Sequence, residues 1–114
     1  MNNSAYLNQD IEIEQYANAV LNLMKFALKD CGGSKVCAQV LLSAYNGTNF
    51  QLDITDLCLL HGDLYGDAIT VIRARNELNT EPHLLIEDGD RVFNDLQKQW
   101  SSYHVKKRHN RKGG

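Results

Sequence analysis

Asp53, Asp56, His61, Asp63 and Asp67 fall within fifteen consecutive residues, a dense run of carboxylate and imidazole donors. Oxygen donors with one imidazole suit magnesium or manganese. Inside this stretch, however, there is no His-Glu-x-x-His, no Asp-x-Asp and no calcium-loop spacing. The same residues sit where helices need them. Asp53 or Thr55 is placed to cap a short helix, Asp56 falls in its first turn, and Asp63 and Asp67 repeat the arrangement one helix later. The expectation is therefore capping and dipole compensation, with no metal. His61, His83, His104 and His109 are scattered, with no serine in a strand-to-helix elbow nearby. Both glycine-rich phosphate cradles are absent, and Gly62 and Gly66 bracket a helix start with no strand before it. No catalytic residue is assigned, and the chain is expected to be a non-enzyme without a cofactor.

The three cysteines, Cys31, Cys37 and Cys58, are odd in number and form no C-x-x-C pair, which argues against a disulfide framework or a zinc ribbon. Cys37 and Cys58 lie in apolar stretches and are expected to be buried, reduced thiols. Charge is divided along the chain. Residues 1–105 hold all 14 acidic residues and seven basic ones, 7 − 14 = −7, whereas the last nine residues carry +5. A segment with five fixed charges and so little to bury is expected to be a disordered tail over 106–114. Its Lys106, Lys107, Arg108, Arg111 and Lys112 are candidates for phosphate contact with nucleic acid. The acidic body opposes that contact.

These side chains are positioned by what reads as an all-α fold. Residues 1–9 are polar and are expected to be a flexible lead-in, and 10–105 a single helical domain. Ile13, Tyr16, Ala17, Val20, Leu21, Met24, Ala27 and Leu28 recur at three- and four-residue steps, predicting one buried helix face ended by Gly32-Gly33. Ser34 is placed to cap a second helix through Val36, Cys37, Val40, Leu41, Ala44 and Tyr45, stopped by Asn46-Gly47. An extended connector with Phe50 and Leu52 leads to a short helix around Leu57–Leu60. A fourth helix carries Leu64, Ala68, Val71, Ile72 and Leu78, with Tyr65 and Ile69 widening its stripe. Pro82 closes it by disfavouring helix at Glu81. His83–Ile86 reads as either extended or one helical turn. Asp88 or Asp90 is placed to cap a last helix with Val92, Phe93, Leu96, Trp100 and Tyr103. No period-two alternation marks a strand. The product is a single compact bundle of four to five helices, with Val20, Leu41, Leu57, Val71, Phe93 and Leu96 in its core.

Hydrophobic residues at 43% and charged residues at 23% match an ordinary globular chain. No apolar run approaches the ~20 residues that span a bilayer, and the first residues do not read as a signal peptide. The expected compartment is the cytoplasm. Aromatic residues at helical spacing are usually core, but Trp100 and Tyr103 stand beside the polar Ser101-Ser102 pair and are candidates for partner contact. Arg73 and Arg75 are expected on the solvated face of the fourth helix and are candidates for the same role.

From about Cys31 to Trp100 the chain resembles a family of small uncharacterised helical proteins encoded on bacterial plasmids, integrative elements and phages. The resemblance rests on Leu41-Leu42-Ser43-Ala44-Tyr45-Asn46, on Phe50 with Leu52-Asp53-Ile54-Thr55-Asp56-Leu57, and on Phe93, Leu96 and Trp100. Family members carry Phe before the first Asp of the second block, where this chain has Leu52, and commonly an aromatic pair where it has Tyr45. The resemblance implies a helical fold and a mobile-element setting, with no established activity. Together these readings point to a small protein-binding accessory or inhibitory factor, with homodimerisation open. The alternative is nucleic-acid binding through the tail.

Overall fold

Gln15 Oε1 accepts a hydrogen bond from the Glu12 amide at 2.9 Å, and a fifteen-residue helix, α1 (Ile13–Ala27), begins there. It carries Glu14 in its first turn and Lys25 in its last, both favourable to the helix dipole. The computed structural model describes residues 10–108. The other long helices are α2 (Ser34–Tyr45), α3 (Asp63–Glu77) and α4 (Gly89–Gln99). Three short 3₁₀ turns, Ile54–Leu59, Pro82–Leu85 and Ser101–Tyr103, join or follow them. α1 packs on both α2 and α3, and α4 with the Pro82–Leu85 turn closes the remaining side of α2. Among the described residues there is no strand, and an isolated antiparallel bridge pairs Phe50 with His104. The fold is all-α, as the periodicity predicts, and none of the described helices is long and apolar enough to cross a membrane.

The core contains Val20, Leu41, Leu57, Val71, Phe93 and Leu96, all six buried as predicted. Tyr16 joins them. Its hydroxyl donates to Thr80 O at 2.6 Å, and burial pushes its pKa up to about 12. Gly89 opens α4 against the backbone of His83, where a Cβ would lie 1.7 Å from the His83 carbonyl oxygen. Gly62, at φ +56°, supplies the left-handed residue that starts α3.

Several expectations need correction. Ile13, Leu21 and Leu28, assigned to the buried face of α1, are 51%, 46% and 47% exposed, while Ala19 and Leu23 are buried instead. The apolar arc of α1 is wider than α2 and α3 can cover. Cys58 is exposed, as is Cys31, and only Cys37 is buried; all three are free thiols. The reason is local: Ile54–Leu59 is a 3₁₀ turn, whose three-residue period sends Leu57 and Leu60 inward and leaves Cys58 and Leu59 outside. Ser34 is the first residue of α2, not its cap, and its Oγ accepts from the Cys31 amide at 3.0 Å. Asp88 does precede α4, but in a left-handed conformation and without a side-chain cap.

The expected start of the tail also shifts. Residues 105–108 form a helical turn, fixed by a Val105 amide bond to Asn49 O at 2.8 Å. Lys106, Lys107 and Arg108 thus belong to the folded part, because Arg108 finds a carboxylate partner in Asp53. Arg111 and Lys112, with the rest of the expected tail, lie outside the described residues, as does the expected lead-in 1–9.

Candidate partner-binding groove

The C-terminal half of α2, α3 and the connector that joins them meet around a shared depression. The result is an open groove of about 740 Å³. Val40, Ser43, Ala44 and Tyr45 of α2 form one wall; Ile69, Ile72, Arg75 and Asn76 of α3 form the other. Leu52, Ile54 and Leu57 close the third side. The α3 wall follows from spacing. Ala68, Val71 and Ala74 turn fully into the core, so Tyr65, Ile69 and Ile72, four and three residues apart, stand on the adjoining face. Ile54 is 77% exposed at the lip.

The polar side chains of the groove are mostly engaged by backbone carbonyls. Arg75 Nε donates to Ala44 O at 2.9 Å, bonding α3 to the last turn of α2, where a cation also suits the helix dipole. Asn76 Nδ2 donates to Ile72 O at 2.7 Å, and Ser43 Oγ to Val40 O at 3.0 Å. Tyr45 packs its ring against Phe93 and His83, with centroids 4.9 and 5.0 Å apart. The connector wall is held from behind by the C-terminal segment. Phe50 and His104 stack edge to face, Arg108 Nη1 donates to Gln51 O at 2.7 Å, and Arg108 pairs with Asp53. What remains open to an incoming chain is an aliphatic surface: a place to bury apolar side chains, with no nucleophile and base converging on it.

The other predicted residues go elsewhere. Asp56 accepts from Gln39 at 3.2 Å and Asp67 from Asn22 at 3.3 Å, so these two acids are engaged with α2 and α1 respectively. Partial burial raises the Asp67 pKa, and neighbouring Asp63 adds to the rise, against the Asn22 hydrogen bond. Among the described residues no cluster of three or more His, Cys, Asp or Glu side chains is placed to hold a metal. Trp100 and Tyr103 are engaged within the chain. Trp100 Nε1 donates to Ala27 O at 2.8 Å, and Gln99 Nε2 reaches the Ala27, Leu28 and Lys29 carbonyls at 3.3–3.4 Å. These two residues cap the C-terminus of α1, whose last carbonyls have no partner within the helix. Tyr103 lies between Trp100 and the Arg108 guanidinium. Arg73 pairs with Glu77 at 2.8 Å and, like Arg75, is part-buried instead of lying on a solvated face. Of the four residues singled out for partner contact, only Arg75 borders the groove. Leu52, Ile54, Ile69 and Ile72 were not singled out, although an isoleucine inside the polar Asp-x-Thr-Asp block and an α3 stripe wider than one core face were the available signals.

Residues 17–101 match the Family of unknown function (DUF7673). The chain belongs to this family. The matched span runs from α1 to the 3₁₀ turn after Trp100, so it takes in both walls of the groove and the Trp100 cap. No curated protein and no solved structure matches the chain.

Proposed function

We propose that this protein is a small, non-enzymatic accessory or inhibitory factor of a bacterial mobile element, acting in the cytoplasm by binding another protein in the α2–α3 groove. The observation that carries the reading is the groove itself, with Ile54 exposed at its lip and the part-buried Ile69 and Ile72 forming its α3 wall at the margin of the core. Apolar surface left open in this way gains by burial against a partner, at ~25 cal/mol per Å². The acidic body selects the partner's charge. A segment with an aliphatic face and flanking Lys or Arg is drawn in by the −7 of residues 1–105, and an acidic one is repelled. The mobile-element setting is supported by the resemblance of the Leu41–Asn46, Leu52–Leu57 and Phe93–Trp100 segments.

The test is a titration of the full chain, followed by NMR, with an amphipathic peptide bearing one Leu/Ile face and basic flanks. Saturable shifts centred on Leu52, Ile54, Ile69 and Ile72, lost in Ile72→Asp and weaker for the same peptide with acidic flanks, are expected. Absence of saturable binding, or shifts outside the groove, would sink the reading. Duplex DNA is the comparison ligand. Salt-sensitive DNA binding that disappears when Lys106, Lys107, Arg111 and Lys112 are changed to Ala, with no peptide binding, would replace the groove by a nucleic-acid arm. Arg108 is left intact in that variant because it holds Asp53.

A further inference from the structure

Ile13, Ala17, Leu21 and Leu28 succeed one another along α1 at steps of four, four and seven residues. At 3.6 residues per turn they fall within an arc of about 80°. Ile13, Leu21 and Leu28 are each about half exposed, so the arc is an apolar stripe facing outward. It borders the buried face formed by Tyr16, Val20, Leu23, Met24 and Ala27, with the buried Met24 at the shared edge. Glu14 and Lys25, both exposed, stand along the same edge of this stripe, the acid near the start of the helix and the base near its end.

That arrangement is complementary to itself. When two identical helices pack antiparallel about a two-fold axis, each edge of one faces the same edge of the other, in reverse order. Centring the axis near Leu21 brings Ile13 of one copy toward Leu28 of the other at both ends. It also brings Glu14 of one copy within a lysine's reach of Lys25 of the other, twice. The two helix dipoles then run opposite to each other, which favours the same orientation. A parallel two-fold pair would instead put the Glu14–Lys25 edges of the two helices on opposite sides of the seam, so that these charges would not meet. We infer that the outer stripe of α1 is the contact surface of an antiparallel homodimer, independent of the groove.

The stripe is about 22 Å long at ~1.5 Å per residue, short of what a standard permanent interface spans. The dimer is therefore a reversible, concentration-dependent one. Sedimentation equilibrium of the full chain should show a weight-average mass rising with concentration from 12.9 kDa toward twice that value. Leu21→Glu, which sets like charges across the axis, should hold the protein monomeric with its helical circular dichroism unchanged. Glu14→Lys alone and Lys25→Glu alone should each weaken association by roughly threefold or more, two symmetry-related pairs being lost at once. The double variant E14K/K25E should recover it, an outcome that damage to the fold cannot produce. A protein that stays monomeric at all concentrations overturns the inference. So does association that ignores Leu21→Glu and both charge reversals, or that is abolished by Ile72→Asp, which would seat the second copy in the groove.

Discussion

α2 meets an apolar surface on each of two flanks, and the chain fills only one of them. On the flank bearing Ala38 and Leu42, the side chains of Phe50, Trp100 and Tyr103 close in until no room for a water molecule is left. On the flank bearing Val40, Ser43 and Ala44, the facing residues are Leu52, Ile54, Ile69 and Ile72, and a groove stays open. Both surfaces are apolar, so hydrophobicity does not separate them. Anchoring does. Trp100 is held by its indole N–H on the Ala27 carbonyl, and Gln99 holds the same helix end. On the open flank Arg75 bonds α3 to the last turn of α2, and Arg108 ties the connector to the C-terminal segment through Asp53 and Gln51.

The sharpest way to break this contrast is to open the closed flank. Leu42→Ala should cost about 2–5 kcal/mol, the usual range for truncating a buried leucine, and urea unfolding would measure it. Gly89→Ala acts through the next layer, where α4 rests on His83. A Cβ there must push the His83 backbone away, and a loss of about 1–3 kcal/mol is expected in the same assay. Trp100→Phe keeps most of the ring and removes the N–H, so it should cost about 1 kcal/mol, the net worth of a typical hydrogen bond. If Trp100→Phe were neutral, packing and not the cap would be what fills this flank.

On the open flank the same measurements should read very differently. Ile54→Ser should leave stability within about 0.5 kcal/mol, as expected for a surface position, while weakening peptide binding in the groove. A large destabilisation would mean that the groove is closed in solution. The smallest effect belongs to Asp67, on the side of α3 that meets α1. Its folded pKa is raised above the usual 3.8, so its contribution to stability is fully present below that value and is lost as pH rises through the folded pKa. Asp67→Asn should flatten the pH dependence of stability across that acidic window and leave the dependence elsewhere unchanged. Thermal melts across pH 3 to 6, a range of about three units around the ordinary aspartate value, would reveal it.

The order of elements was legible because helix periodicity and its stop signals act over a few residues. Asn46-Gly47 stands where α2 ends, and the six predicted core residues are all buried; Gly32-Gly33 and Pro82 mark the start of the next element, since α1 already ends at Ala27 and α3 at Glu77. The sequence by itself therefore determined the helical class, the four long helices and the centre of the core. Tertiary structure decided how wide each buried face became. The apolar arcs of α1 and α3 both exceed what their neighbours cover, and composition cannot say which edge is left in solvent. Packing left Ile13, Leu21 and Leu28 outside on α1, and turned Ile69 and Ile72 toward a groove on α3. It also gave Trp100, Arg75 and Arg108 their partners, across 73, 31 and 55 residues of chain. Contacts at such separations leave no local pattern, because what selects them is the meeting of two surfaces and not the spacing of residues along either one.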